Sequence, residues 1–447
     1  MKHYDLVVVG SGVAAKAAAF RVREAGWSVA VIDQQPFGGT CQLRGCDPKR
    51  VLMGAAEAAD FARRLGAHGL DGAVCIDWPE LMAFKRRFTD PVPEETEHSL
   101  AEKGIDALHG TARFTGPDRL SVNGAEIEAG HLVLASGAQP RPMNIPGAEF
   151  LTTSDAFMAL DALPERVVMV GGGYIAAEFS HLAARAGAKV TVLQHGPRML
   201  THFEPELVDW LMPRFADIGI DVRTQSDVTG IERNGGGYLV HAKQDGQTQR
   251  VEADLVVHAA GRVPALDALD LAAAEVEQED GRLKLNEHLQ SVSNARVYAA
   301  GDSAAKGPPL TPVASLDAGV VAGNLLDGNR YEPDYTGVPS VAFTIPPIAS
   351  VGLSEEAARK QGLRFDVRKA QTADWYSARR VAEPAAGYKT LIEQGSDRIL
   401  GAHVLGPEAS ETINIFALAI RQKLTADDLK SAIFAYPTAA SDISSML

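Results

Sequence analysis

Asp5-Leu6-Val7-Val8-Val9-Gly10-Ser11-Gly12-Val13-Ala14-Ala15 reads as a buried strand, a tight glycine turn and the start of a helix. Gly10 permits the turn, Gly12 lets backbone N–H groups approach a pyrophosphate at the helix N-terminus, and Ala15 allows close helix–strand packing. A helix over Lys16 to Ala25 follows, then Gly26 and a second strand, Val29 to Ile32, that ends in Asp33. An acid at that strand end accepts hydrogen bonds from ribose hydroxyls. A glycine turn alone is weak evidence, but strand, turn, helix, strand and terminal acid in this order specify a dinucleotide-binding unit.

The pattern recurs. Val167-Val168-Met169-Val170-Gly171-Gly172-Gly173-Tyr174-Ile175-Ala176 leads into a helix through Ala186, then Gly187 and a strand over Val190 to Leu193. Gly10 to Asp33 and Gly171 to Gln194 are both 23 positions apart, so Gln194 stands where the first unit has its acid. Two such units mean two dinucleotide sites. A carboxylate there would repel a 2′-phosphate, whereas Gln194 carries no charge and His195 and Arg198 follow closely. NADPH is therefore favoured over NADH in the second site.

Just behind the first unit lies Gly38-Gly39-Thr40-Cys41-Gln42-Leu43-Arg44-Gly45-Cys46-Asp47-Pro48-Lys49-Arg50. Five helical residues turn about 140° past a full turn, so an ideal helix would not bring the two sulfurs together. Gly45 and Pro48 are the residues expected to distort it. A cysteine pair behind a nucleotide unit points to thiol redox chemistry. Cys75, within Ala73-Val74-Cys75-Ile76, is expected to be a buried strand residue.

The chain has 447 residues, enough for two or three domains, and a formal charge of −14. That charge argues against nucleic acid and anionic membranes as partners and leaves small molecules. Apolar runs are strand-sized, and the start Met1-Lys2-His3-Tyr4-Asp5 lacks a signal-peptide pattern, so a cytoplasmic setting is expected. In a reducing compartment a cysteine pair is catalytic or redox-sensing rather than a structural staple. No metal-ligand set is legible. Further on, Val297-Tyr298-Ala299-Ala300-Gly301-Asp302 is an apolar strand ending in an acid suited to a polyol hydroxyl, followed by a helical stretch over Pro312 to Leu326.

Both glycine units, the Cys-x4-Cys segment and the Gly-Asp motif together resemble the flavoprotein disulfide reductases, the family of glutathione reductase, dihydrolipoamide dehydrogenase and mercuric reductase. Connecting segments agree: Leu134-Ala135-Ser136-Gly137, Ala259-Ala260-Gly261-Arg262-Val263-Pro264, Ala349 to Glu355 and Ile399 to Gly406. The resemblance covers essentially the whole chain. It implies an α/β protein with two Rossmann-like dinucleotide-binding domains and a C-terminal α+β dimerisation domain. The expected boundaries are 1–149 for the first FAD segment, 150–264 for the NAD(P)H domain, 265–334 for the second FAD segment and 335–447 for the interface domain.

The resemblance also implies a homodimer in which FAD lies against Gly10, Gly12, Asp33, Thr40 and Asp302, and Ala15, Gly137 and Gly261 are further cofactor-binding candidates. NAD(P)H is expected against Gly171, Gly173 and Gln194, with His195 and Arg198 close behind. Cys46 becomes the flavin-side thiol and Cys41 the interchange thiol that meets the acceptor. Glu178 matches an acid near the flavin and nicotinamide rings, and Arg50 replaces its usual lysine partner, a bulkier cation that cannot lose its proton.

Relatives that reduce disulfides carry a C-terminal His-Pro-Thr-x-x-Glu, whereas this chain has Tyr436-Pro437-Thr438-Ala439-Ala440-Ser441. Histidine is thus replaced by Tyr436 and glutamate by Ser441. An unperturbed tyrosine, with a pKa of about 10, donates a proton but rarely acts as base. The expected activity is electron transfer from NAD(P)H through FAD and Cys41–Cys46 to an unassigned small-molecule acceptor on a sulfur group or related centre. Alternatives are a metal-ion or quinone reductase and a redox-sensing or electron-transfer flavoprotein.

Overall fold

Leu6, Val7 and Val8 are fully buried, and alternate residues of their strand enter different cores. Val7 and Val9 face one side and Leu6 and Val8 the other, as expected for a strand inside a parallel sheet covered on both faces. The computed structural model describes all residues, Met1–Leu447. The chain divides into two units, one comprising residues 1–50, 83–141 and 262–335 and the other residues 51–82, 142–261 and 336–447.

The first unit is built on β1 (Lys2–Val9), β2 (Val29–Asp33), β3 (Asp106–His109), β4 (Ala112–Gly116), β5 (Arg119–Val122) and β6 (Ala125–Leu134) in the order β3-β2-β1-β6-β5-β4. The strand Val297–Ala299 adds in parallel beside β6. Helix α1 (Val13–Glu24) presents Ala14, Ala15, Ala18, Ala19 and Val22 to the core that it shares with Ala318, Val321 and Ala322 of the helix Thr311–Asp327. Small alanines let both helices lie close on one sheet face.

The second unit contains the repeat: Asp221–Arg223, Lys189–Leu193, Arg166–Val170 and Leu255–His258 form a parallel sheet in that order, with an antiparallel meander over Ser226–Asn234, Gly237–Gln244 and Gln247–Ala253. Its C-terminal part is a five-stranded antiparallel sheet over Ser340–Ala342, Ile348–Gly352, Ile399–Leu405, Gly387–Glu393 and Phe365–Gln371. The helix Ala409–Arg421 covers it with Ile413 and Phe416. No helix is long and apolar enough to cross a membrane.

The two glycine turns are the same device built twice. Gly10 has φ +107° and donates to Ile32 O at 2.7 Å; Gly171 has φ +114° and donates to Leu193 O at 2.8 Å. A Cβ on Gly10 would lie 2.2 Å from Ala135 O, and one on Gly171 2.2 Å from Ala259 O. Both positions therefore require glycine for conformation and for clearance.

Candidate active site

Helix α2 (Gly39–Arg44) carries Cys41 and stops at Gly45, whose φ of −140° and ψ of −117° leave the helical region; α3 (Cys46–Arg64) restarts at Cys46. A Cβ on Gly45 would meet Thr40 O at 2.8 Å, so the two helices can approach only around glycine. Pro48 sits in the first turn of α3, where proline is tolerated, so Gly45 alone makes the break. The reversal brings the sulfurs into hydrogen-bond contact as two free thiols.

Thr311, which opens the helix Thr311–Asp327, places Oγ1 3.2 Å from Cys41 Sγ and 3.4 Å from Cys46 Sγ. The pair thus lies at the positive end of a 17-residue helix. The Cys41 hydrogen bond, then Thr311 and the Lys49 charge, pull the Cys46 thiol down to about 6 against burial and Asp47. Cys41 moves the other way, raised by its bond to Cys46 and by burial. Both shifts favour the thiolate on Cys46 over one on Cys41.

The first nucleotide cradle is open to an anion. Gly12 caps α1 without a side-chain hydrogen bond, and the first turn carries no acid. Asp33 accepts from Ser11 N at 2.9 Å, Ser11 Oγ at 2.6 Å and Gln35 N at 2.8 Å, which fixes the carboxylate at the strand end. Ala15 is fully buried between helix and sheet, Thr40 is exposed, and nothing lies within 4 Å of where a Gly137 Cβ would point. Burial raises the Asp302 carboxyl, opposed by Arg262. A donor-rich helix end, an acid for ribose and a desolvated acid for a polyol fit the parts of FAD.

The second cradle repeats this: Gly173 caps the helix Tyr174–Arg185 without a side-chain bond, and the space beside it is open. Gln194 lies over Gly172 and donates to Arg198 O at 3.2 Å. His195 Nδ1 is 2.7 Å from Asp227 Oδ1, so a carboxylate reaches the loop from the strand Ser226–Asn234. Arg198 has a buried Nε with no hydrogen-bond partner. Gly261 has φ +100° and marks the chain's return to the first unit.

Glu178 is buried at 2% exposure, and its Oε1 accepts from Phe343 N at 2.8 Å. Tyr436 lies 81% exposed on the C-terminal segment, and Ser441 Oγ donates to Thr438 O. Cys75 differs from expectation: it is exposed in an irregular segment, because the short apolar run Val74-Cys75-Ile76 pairs with no strand. No group of three or more His, Cys, Asp or Glu side chains is arranged to hold a metal ion.

Residues 4–318 match the family described as pyridine nucleotide-disulphide oxidoreductase, and residues 338–447 match its dimerisation domain. The chain belongs to this family. It is similar to a mercuric reductase from Staphylococcus aureus, 33% identical over 445 residues covering 98% of this chain and 80% of that protein. It is also similar to a glutathione reductase from Burkholderia cepacia, 31% identical over 441 residues covering 98% and 97%. Among solved structures, the Cu(II) complex of the HOCl-induced flavoprotein disulfide reductase RclA from Escherichia coli superposes with a TM-score of 0.89 at 27% identity, covering 100% of this chain and 99% of that one.

As a pyridine nucleotide-disulphide oxidoreductase, the chain is an α/β flavoprotein whose relatives use FAD and pyridine nucleotides. Sequence reasoning had not assigned Thr311, Asp47, Asp227 or Asp317 to the sites. Thr311 was legible only as the residue before a helix-initiating proline. Asp317, fully buried, accepts from Gly301 N at 3.0 Å and Tyr335 Oη at 2.8 Å and so holds the turn that carries Asp302. Asp47 stood next to Cys46 in plain view, but nothing local indicated that its carboxylate turns towards Cys41.

Proposed function

We propose that this protein passes two electrons from NADPH, through FAD, to the Cys41–Cys46 disulfide and on to a thiophilic metal ion, working as a homodimer. The observation that carries the reading is the paired thiols of Cys41 and Cys46, gathered round Thr311 Oγ1 at the start of the helix Thr311–Asp327. Bound FAD supplies the exchange of two electrons between a reduced nicotinamide and a disulfide. The balance of the first half is NADPH + disulfide giving NADP⁺, one thiol and one thiolate.

Cys46 holds the thiolate, and Cys41, half-exposed, meets the acceptor. With Cu(II) the second half balances as two Cu(II), one thiol and one thiolate giving two Cu(I), one disulfide and one proton. Two thiol ligands suit soft metal ions. Tyr436 and Ser441, in place of an imidazole and a carboxylate, disfavour a small disulfide that needs a proton shuttle, and the mercuric reductase and RclA likenesses favour a metal. A net charge of −14 likewise favours a cation. The uncharged Gln194 and the nearby Arg198 support NADPH, and the matched dimerisation domain supports the homodimer.

The test is anaerobic turnover of Cu(II), Hg(II) and oxidised glutathione with NADPH, in wild type and C41S. Metal reduction that falls to background in C41S while nicotinamide still reduces the flavin is the expected result. Metal reduction undiminished in C41S, or a marked preference for glutathione disulfide, overturns the metal reading.

A further inference from the structure

We propose that Asp317 is a positioning residue for FAD: together with Tyr335 it holds the turn Gly301–Ser303 so that the Asp302 carboxylate faces the polyol of the cofactor. The inference rests on the reading that Asp302 accepts from that polyol.

Asp302 stands out by what it lacks. Asp33 accepts from Ser11 and Gln35, and Asp317 from Gly301 and Tyr335, whereas Asp302 makes no side-chain hydrogen bond within the protein although it is half-buried. An acid placed out of water with its lone pairs uncommitted is suited to a donor from outside the chain. Its aim then depends on the turn that carries it.

That turn is held from both sides. Gly301 has φ +67°, and a Cβ there would lie 3.1 Å from Ala314 Cβ and 3.5 Å from Ala14 Cβ, so the turn is wedged between α1 and the helix Thr311–Asp327. After Asp302, Ser303 Oγ donates to Leu134 O at 2.9 Å. Before it, Gly301 N donates to Asp317 Oδ2 at 3.0 Å, while Asp317 Oδ1 accepts from Tyr335 Oη at 2.8 Å. Asp317 is fully buried, so its carboxylate cannot turn away without stranding a donor. The Tyr335 ring in turn lies over Gly307, where a Cβ would come within 2.7 Å of it.

Asp317 sits six residues after Thr311, about 9 Å along the same helix. Thr311 meets the two sulfurs and Asp317 meets the turn, so breaking the second contact should loosen the turn and spare the thiol pair. A carboxylate that only braces the fold and one that aims Asp302 differ in additivity. The loss of a brace multiplies with the loss of Asp302. The loss of a positioning residue disappears once Asp302 is gone.

The experiment dilutes the FAD-loaded enzyme at pH 8, above the value of about 6 to which burial raises the Asp317 carboxyl, and reads released FAD by fluorescence after ultrafiltration. D302A is expected to raise the FAD Kd by about 10- to 100-fold and D317A by about tenfold, as for lost hydrogen bonds to a carboxylate. D302A/D317A is expected to bind no more than about threefold more weakly than D302A. D317N should recover most of the loss, because its amide oxygen can accept from Gly301 N and its N–H can donate to Tyr335 Oη. With FAD saturating, D317A should still develop the thiolate-to-flavin band on reduction by NADPH. Should D317A fail to fold, Y335F, which keeps the ring over Gly307, takes its place in the same cycle with D302A. An unchanged Kd in D317A, losses that multiply in the double variant, or a band that vanishes at saturating FAD overturns the proposal. An unchanged Kd in D302A overturns instead the reading on which it rests.

Discussion

At the scale of single residues, the site works by splitting one proton unequally between two sulfurs. Cys46 is held at about 6 by the Cys41 hydrogen bond, Thr311 and Lys49, against an ordinary thiol value of 9.0. Lowering the pH of the reduced enzyme should therefore abolish the long-wavelength thiolate-to-flavin absorption with an apparent pKa of about 6. T311V removes a hydrogen bond to a charged sulfur, worth about 1.5–3 kcal/mol, and should raise that pKa by about 1 to 2 units. An apparent pKa near 9, or one indifferent to T311V, contradicts this account of the pair. The cysteines and Asp33 were legible because local spacing places them. Thr311 was not, since its contact with Cys41 spans 270 positions and no local pattern encodes it.

At the scale of elements, the helix Tyr174–Arg185 shows how a site residue is anchored. Glu178, His181 and Arg185 share one face: Glu178 accepts from Phe343 N, His181 Nδ1 accepts from Ile345 N at 3.0 Å, and Arg185 reaches Asp60 at 2.7 Å. Burial and the flanking Arg185 and Arg214 keep His181 neutral, with Nδ1 as acceptor. Asp60, with a fully buried side chain, also binds Arg64 at 2.7 Å and Arg214 at 3.1 Å, and Glu383 adds an ion-pair contact to Arg214 at 3.2 Å. Burial alone would raise the Asp60 carboxyl, but Arg185, Arg64 and Arg214 together hold it well below the usual range.

Its stabilising contribution is thus present above the ordinary carboxyl pKa of about 4 and fades as pH falls below it. D60N leaves buried guanidinium groups without their charge partner and should cost about 3–5 kcal/mol in urea unfolding at pH 7. A cost below about 1 kcal/mol would show that the cluster relaxes freely. None of this network was legible in the sequence. The glycine repeats announce the helix, but a buried acid and three arginines from separate segments look like ordinary surface charge until the chain is folded.

At the scale of the whole molecule, the sequence pattern carried the architecture because both nucleotide units are local, contiguous and repeated. Gly10 and Gly171 close onto Ala135 and Ala259 in the same way. The acceptor was less legible, because it depends on residues that are replaced, Tyr436 and Ser441, rather than on any motif that is present. The central claim is that electrons from a reduced nicotinamide come to rest on Cys41 and Cys46. The most direct test is to add one equivalent of NADPH anaerobically to the oxidised enzyme, then count reactive thiols and record the long-wavelength absorption. The account predicts two new thiols per chain together with the thiolate-to-flavin band, and C46S removing both. Flavin bleaching with no new thiols and no band would contradict it.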